Sequence, residues 1–152
     1  MMDSRTGGAV VRENMETSLP GIFACGNAVH VHDLVDFVTA EGERAGTAAA
    51  DFALNAQPAE AEALRLINGD SVGYTVPQII RPDFLDGGIT VFFRVTRVFG
   101  ESRVVVTVKG GQVVTYSRGH MAPGEMERIV LPRKLLENLS GEVMISCEEV
   151  AG

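Results

Sequence analysis

Cysteine is scarce in this sequence. Only Cys25 and Cys147 occur, far apart and not in a Cys-x-x-Cys arrangement. This spacing argues against a zinc ribbon, a dithiol redox centre and a disulfide framework. Two isolated thiols are typical of a protein from a reducing compartment, so we expect a cytoplasmic location.

Basic residues and long apolar runs are also lacking. The 13 Lys and Arg are outnumbered by 20 Asp and Glu and form no cluster, so a nucleic-acid partner is disfavoured. No apolar run approaches the length of a membrane span, and Met1 to Gly8 lacks the basic and then apolar profile of a secretory signal. With 45% hydrophobic and 22% charged residues, the composition is nevertheless that of a folded globular protein.

The sequence changes character between residues 56 and 72. This stretch carries Ala, Glu, Gln and Pro and the turn signal Asn68-Gly69-Asp70. We therefore predict a first part at residues 1–55, a linker at 56–72 and a second part at 73–152.

The first part has the pattern of strand, loop and long helix. Gly8 to Val11 is a short strand candidate, and the continuous apolar run Gly21 to Cys25 predicts a strand buried on both faces. A helix is expected from Asp33, as its cap, to Asn55. One helix face carries only small residues, namely Gly42, Gly46, Ala49 and Ala53. Because glycine disfavours helix interiors, this face indicates close packing against a sheet or a ligand, with an alanine-rich surface helix as the alternative.

The second part has the alternating pattern of antiparallel strands. Gly110-Gly111 predicts a two-residue hairpin turn, and Pro132 to Leu139 predicts a short helix. The predicted strands cover residues 74–80, 89–96, 103–108, 112–118, 125–131 and 142–147. The expected fold is therefore α+β: a partial FAD-binding α/β segment followed by a small, immunoglobulin-like antiparallel β-sandwich.

The most informative stretch runs from Thr17 to Asn27, with the sequence TSLPGIFACGN. It resembles the second FAD signature of the flavoprotein oxidoreductases that have two dinucleotide-binding domains, a group that includes thioredoxin reductase. Their pattern is T-x-x-P-G-apolar-aromatic-A-x-G-D, and only the final Asp differs, being Asn27 here. The following residues 30–46 resemble a subgroup of NAD(FAD)-dependent dehydrogenases associated with anaerobic glycerol-3-phosphate dehydrogenase-type proteins, which carry a small C-terminal β domain.

This resemblance implies a set of flavin contacts. Gly26 would let the backbone pass close to the cofactor, and Asn27 would accept a hydrogen bond from the ribityl chain. The turn formed by Asp36, Phe37 and Val38 would open the helix toward the pyrimidine edge of the flavin. The positive end of the helix dipole would favour the negative charge of reduced flavin there.

The family's two G-x-G-x-x-G turns, which hold the FAD pyrophosphate and the nicotinamide nucleotide, do not occur in this sequence. We therefore expect the C-terminal segment of an FAD-dependent NAD(P)H oxidoreductase, and we expect this chain to be inactive alone. FAD and NAD(P) would bind in the full-length protein, with the missing N-terminal domains or a complementing subunit as partners. The alternative is a non-enzymatic β-sandwich interaction or dimerisation module.

Three further expectations concern single residues. In the absence of the missing domain, Ile22, Phe23, Val35, Val38 and the small-residue helix face would be exposed and would cause self-association. His30 and His32, with Asp33 and Asp36 nearby, could bind a metal, but no third His or Cys lies at a supporting spacing, so a metal site is disfavoured. Cys25 is expected to be a buried structural thiol rather than a nucleophile.

Overall fold

A computed structural model describes residues 1–55, 61–108, 111 and 113–151 of the chain. The fold is mixed α+β, and most of its regular structure is β. Helix α1 spans Val35–Asn55 and α2 spans Arg133–Leu136. The strands are β1 Leu64–Asn68, β2 Val72–Val76, β3 Ile79–Ile80, β4 Gly88–Val95, β5 Ser102–Val108, β6 Val113–Arg118, β7 Glu127–Pro132 and β8 Gly141–Glu149. Neither helix of this described part is both long and apolar enough to cross a membrane.

The strands form two sheets, an arrangement consistent with a β-sandwich. The larger sheet has the order β3-β1-β8-β5-β6, and the smaller has the order β2-β4-β7. The prediction of an antiparallel sandwich needs one correction, because β1 and β8 pair in parallel, with Leu64 beside Gly141. Parallel neighbours cannot be joined by a tight turn, which is why local sequence patterns do not reveal this pair.

One hydrophobic core joins the two sheets. Val104 and Val106 of β5 alternate with more exposed residues and pack with Val143 and Ile145 of β8. Phe93, at the centre of β4, has no exposed surface and belongs to the same cluster. The predicted strands at residues 89–96, 103–108, 125–131 and 142–147 are confirmed within one or two residues at each end. Buried and exposed residues alternate along these strands because one face of each strand packs against the core.

The predicted linker at residues 56–72 contains β1, whose Leu64 and Leu66 are buried in that core. Residues 56–60 of the linker lie outside the described residues. The predicted strand at residues 74–80 is divided into β2 and β3, which belong to different sheets. The predicted short helix from Pro132 to Leu139 is a single turn, α2.

The predicted two-residue turn at Gly110-Gly111 is also wrong in register. Such a turn would pair Val108 with Val113, whereas Thr107 pairs with Val113. The connection between β5 and β6 is therefore longer than two residues. Gly110 lies outside the described residues, and Gly111 has a φ of 84°.

The first 34 residues pack as turns against the β region. The two predicted strands, 8–11 and 21–25, are reduced to isolated bridges, such as Glu16 with Phe23. Ile22 is 52% exposed, so this apolar run is not buried on both faces. A smaller core of Val11, Met15, Val29 and Ala45 includes Val76 from β2 and thereby joins the first part to the sheets.

Two predictions about single side chains in this region are also corrected. Helix α1 begins at Val35, not at Asp33. The carboxylate of Asp33 instead binds Arg94 on β4 and the backbone N–H of Met126. Cys25 is half-buried rather than buried, and both cysteines are free thiols.

Candidate functional site

The residues of the FAD-like signature end in a tight turn. A 3-10 turn spans Gly26–Ala28, and Gly26 has a φ of 63°, in the left-handed region that favours glycine. A Cβ atom at Gly26 would lie 3.2 Å from Cγ1 of Val38 on α1. The N–H of Gly26 donates to Oε2 of Glu41 at 2.9 Å. The glycine is therefore required by both the backbone angle and the close approach of α1.

The five residues predicted to contact flavin divide into two groups. Gly26 and Val38 come together, while Asn27 and Asp36 lie exposed at the surface. The Oδ1 atom of Asn27 accepts the backbone N–H of His32 at 3.2 Å, and a carbonyl oxygen keeps a second lone pair for another donor. Phe37 turns toward the β region, with its ring centroid 5.3 Å from that of Phe92.

The face of small residues on α1 meets open space. A Cβ atom built at Gly42 or Gly46 has no neighbour within 4 Å in the described part of the chain. A different face of α1, about a quarter of a turn away, buries Glu41 and Ala45. The predicted close packing of the small-residue face therefore has no partner in the described chain, and the face is available to another molecule.

Beneath the signature turn, His30, His32 and Glu41 form a buried cluster, here called the His-Glu cluster. Nε2 of His30 lies 2.8 Å from Oε1 of Glu41, and Nε2 of His32 lies 2.9 Å from Oε2. All three side chains are at most 3% exposed. The two imidazole centroids are 4.2 Å apart. Three groups that can bind a metal thus converge on one small volume.

The His-Glu cluster is enclosed by aromatic rings. The rings of Tyr74 and Phe92 each lie 5.8 Å from that of His30, and Phe37 lies 6.5 Å from His32. Burial by itself raises the pKa of Glu41, but the adjacent imidazoles of His30 and His32 and the backbone N–H of Gly26 outweigh it, so that the pKa is lowered. Glu41 is therefore a carboxylate at neutral pH.

Beside the His-Glu cluster, the Asp33–Arg94 ion pair fastens the loop before α1 to β4. Arg94 also donates to the hydroxyl oxygen of Tyr74 at 3.0 Å, which connects the pair to the aromatic wall. Burial raises the pKa of Asp33, but the bonds from Arg94 and from the N–H of Met126 outweigh it and lower the pKa. The Asp33–Arg94 ion pair thus holds the loop that carries His32 against β4.

Sequence reasoning disfavoured a metal here because it sought a third His or Cys. The third group is the carboxylate of Glu41, while Asp33 and Asp36, the acids considered earlier, do not belong to the cluster. The sequence does contain a signal for the burial of Glu41, namely its spacing of four residues from Ala45. Residues four apart share one helix face, so Glu41 lies on the face that is buried with Ala45.

A groove of about 300 Å³ lies on the other side of the first part, between Phe23, Phe52 and Arg81. Its buried charges are already paired. Arg81 donates to Glu13 at 2.7 Å, and Glu16 accepts from Arg12 at 3.2 Å and from the N–H of Gly21 at 3.0 Å. The groove therefore offers a ligand fewer buried polar atoms without a partner than the His-Glu cluster does.

No protein-family model, no curated protein and no solved structure matches the chain.

Proposed function

We propose that the chain is the C-terminal part of an FAD-dependent NAD(P)H oxidoreductase that works in the cytoplasm. In this proposal, Gly26, Asn27 and the first turn of α1 form the wall that faces the ribityl chain and the ring edge of the flavin. The observation that carries the proposal is the left-handed turn at Gly26, which leaves Asn27 exposed near the start of α1. The motif thus has a surface that a cofactor can reach.

The rigidity of the turn supports this role. The N–H of Gly26 is held by Glu41, and a Cβ atom at this position would lie only 3.2 Å from Cγ1 of Val38. Asn27 keeps its amide group and one lone pair for a ligand. Val35 is 75% exposed, so the positive end of the α1 dipole meets open space rather than protein. Contacts that are held in place before binding need little further ordering when a cofactor arrives.

The rest of the cofactor site must come from elsewhere. Without a G-x-G-x-x-G turn, this sequence has no motif for the pyrophosphate of FAD or for the nicotinamide nucleotide. The exposed small-residue face of α1 offers a surface where a further domain or subunit can pack closely. Phe37, which faces Phe92, would contribute to the site through its backbone rather than its ring.

The test is the visible absorption spectrum of the tagged chain, purified from its own cells with the proteins that assemble with it. We expect bound flavin that NADH or NADPH bleaches. Asn27→Ala should lower the flavin content, whereas the matched control Asn55→Ala, exposed at the far end of α1, should retain it. An assembled complex without flavin would overturn the proposal.

The second candidate is a non-enzymatic, immunoglobulin-like β-sandwich module for interaction or dimerisation. It is favoured by one observation: the main core consists entirely of residues from Leu64 onward. A flavin-free complex that loses its partner when exposed β residues such as Val130 are replaced by Glu would support this candidate instead.

A further inference from the structure

We propose that the His-Glu cluster is a binding site for one divalent first-row transition metal ion, with Nε2 of His30, Nε2 of His32 and the carboxylate of Glu41 as ligands. The three ligands are not among the flavin contacts proposed above, although the site adjoins them through the hydrogen bond from Gly26 to Glu41. It uses the three side chains that the fold buries together at the start of α1.

The distances between the ligand atoms are close to those of a metal site. Bonds of about 2.0–2.2 Å in a tetrahedron place neighbouring ligand atoms about 3.3 Å apart. In the chain, the two nitrogen-to-oxygen distances are 2.8 and 2.9 Å, and all three ligand atoms lie within 4.8 Å of one another. To admit an ion, the two nitrogen-to-oxygen distances would lengthen to about 3.3 Å.

Unpartnered nitrogen atoms are an independent sign of a ligand. Among the described residues, neither Nδ1 nor Nε2 of His32 has a hydrogen-bond partner, although its side chain is 1% exposed. The Nε2 atom is near Oε2 of Glu41 but is poorly aligned for a hydrogen bond. A buried polar atom without a partner destabilises the folded chain. A metal ion would accept the lone pair of Nε2 and remove part of this destabilisation.

The charge of the His-Glu cluster also favours a cation. Glu41 is 2% exposed, its only ion-pairing partners in the described chain are His30 and His32, and no Lys or Arg of that part forms an ion pair with it. A carboxylate buried without a counter-charge is costly. Arg94, which bonds Tyr74 in the aromatic wall, is committed to Asp33. A divalent ion would supply the missing positive charge.

The ligand types narrow the choice of ion. Two imidazoles and one carboxylate suit Zn²⁺ and its first-row neighbours rather than Ca²⁺ or Mg²⁺, which prefer oxygen ligands. Three protein ligands leave the fourth tetrahedral position to a non-protein ligand. The Nδ1 atoms have no acceptor among the described residues. Absence of such outer bonds weakens metal binding by roughly 10–100-fold, so we expect modest affinity.

The experiment uses the flavin-free chain, stripped with a chelator, dialysed and titrated with Zn²⁺ by calorimetry. One ion should bind per chain and raise the melting temperature. Co²⁺ should give the intense visible absorption of a tetrahedral site. A folded wild-type chain that binds no Zn²⁺ at excess metal overturns the proposal. Because no flavin is present, the result is separate from the test of the oxidoreductase function.

Variants locate the ion. His32→Ala and Glu41→Gln should weaken Zn²⁺ binding by more than the roughly 10–100-fold that loss of an outer-shell partner causes. Glu41→Gln keeps the shape of the side chain, so it still tests the metal site if His32→Ala does not fold. The matched control is His120→Ala, since His120 is the remaining histidine and is 58% exposed beside Glu125. Equal loss of binding in His120→Ala overturns the assignment.

Discussion

At the scale of single residues, Gly26 connects the signature turn to helix α1. Its φ of 63° is one that residues with a Cβ atom adopt at a cost of about 1–2 kcal/mol. The Cγ1 atom of Val38 adds a steric cost, because it would lie 3.2 Å from a new Cβ atom. The same residue donates to Glu41, so the turn and the His-Glu cluster share one backbone position.

Gly26→Ala should therefore destabilise the chain by about 2 kcal/mol. Urea unfolding followed by circular dichroism measures the change. Gly42→Ala is the matched control, because Gly42 lies inside α1 with no neighbour within 4 Å of a new Cβ atom. This variant should be stabilised by roughly 0.5–1 kcal/mol. Equal stability of the two variants would contradict the role assigned to Gly26.

The sequence predicts the residues of the turn better than it predicts their contacts. The motif identifies Gly26 as a residue that lets the backbone pass close to a cofactor, but it does not predict the positive φ that the structure gives this residue. Glu41 was missed because its importance depends on which face of α1 is buried, and a helix rich in small residues has no strong apolar stripe. Asp33 was expected to cap α1, but the Arg94 guanidinium, distant in sequence, takes its carboxylate.

At the scale of elements, the strands with strict alternation were predictable, and β1 was not. Strands β5 and β8 carry a branched or sulfur-containing residue at every second position, which one buried face requires. Strand β1 lies in a stretch with a turn signal, and its parallel partner β8 is far away in sequence. The strand predictions at residues 8–11 and 21–25 are wrong, because these segments form only isolated bridges and part of their apolar surface, such as Ile22, faces solvent.

The ion pair between Asp33 and Arg94 is the main polar connection between the loop before α1 and β4. Asp33→Asn should destabilise the chain by about 1 kcal/mol, a value reduced from that of a fully buried pair because the Asp33 side chain is 34% exposed. Thermal unfolding measures the loss. The control is Asp86→Asn at an exposed position, which should change stability by less than about 0.5 kcal/mol. Equal losses in both variants would count against this role.

At the scale of the whole molecule, the surface around the signature carries apolar side chains without a cover. Ile22 and Val35, two of the residues expected to cause self-association, are well exposed. Phe23 and Val38 are half-buried, and Phe23 packs edge-on against Phe52 with a centroid distance of 6.2 Å. The exposed set is thus smaller than the sequence predicted, but it borders the open face of α1.

We expect the isolated chain to self-associate through this surface, because exposed neighbouring apolar residues favour contacts that remove them from water. Light scattering at rising protein concentration should show a mass above that of the monomer. The double variant Ile22→Glu with Val35→Glu should return the chain to a monomer. Val98→Glu, which changes an exposed residue of the β region, should not. A wild-type chain that stays monomeric at high concentration contradicts the prediction.

The position of β8 has a consequence for the time course of synthesis. It is the last described strand of the chain, yet it lies in the middle of the larger sheet, between β1 and β5. Until a ribosome has released it, β1 and β5 have no shared neighbour, and the inner face that Val143 and Ile145 complete stays uncovered. The larger sheet therefore closes only after translation has passed residue 149.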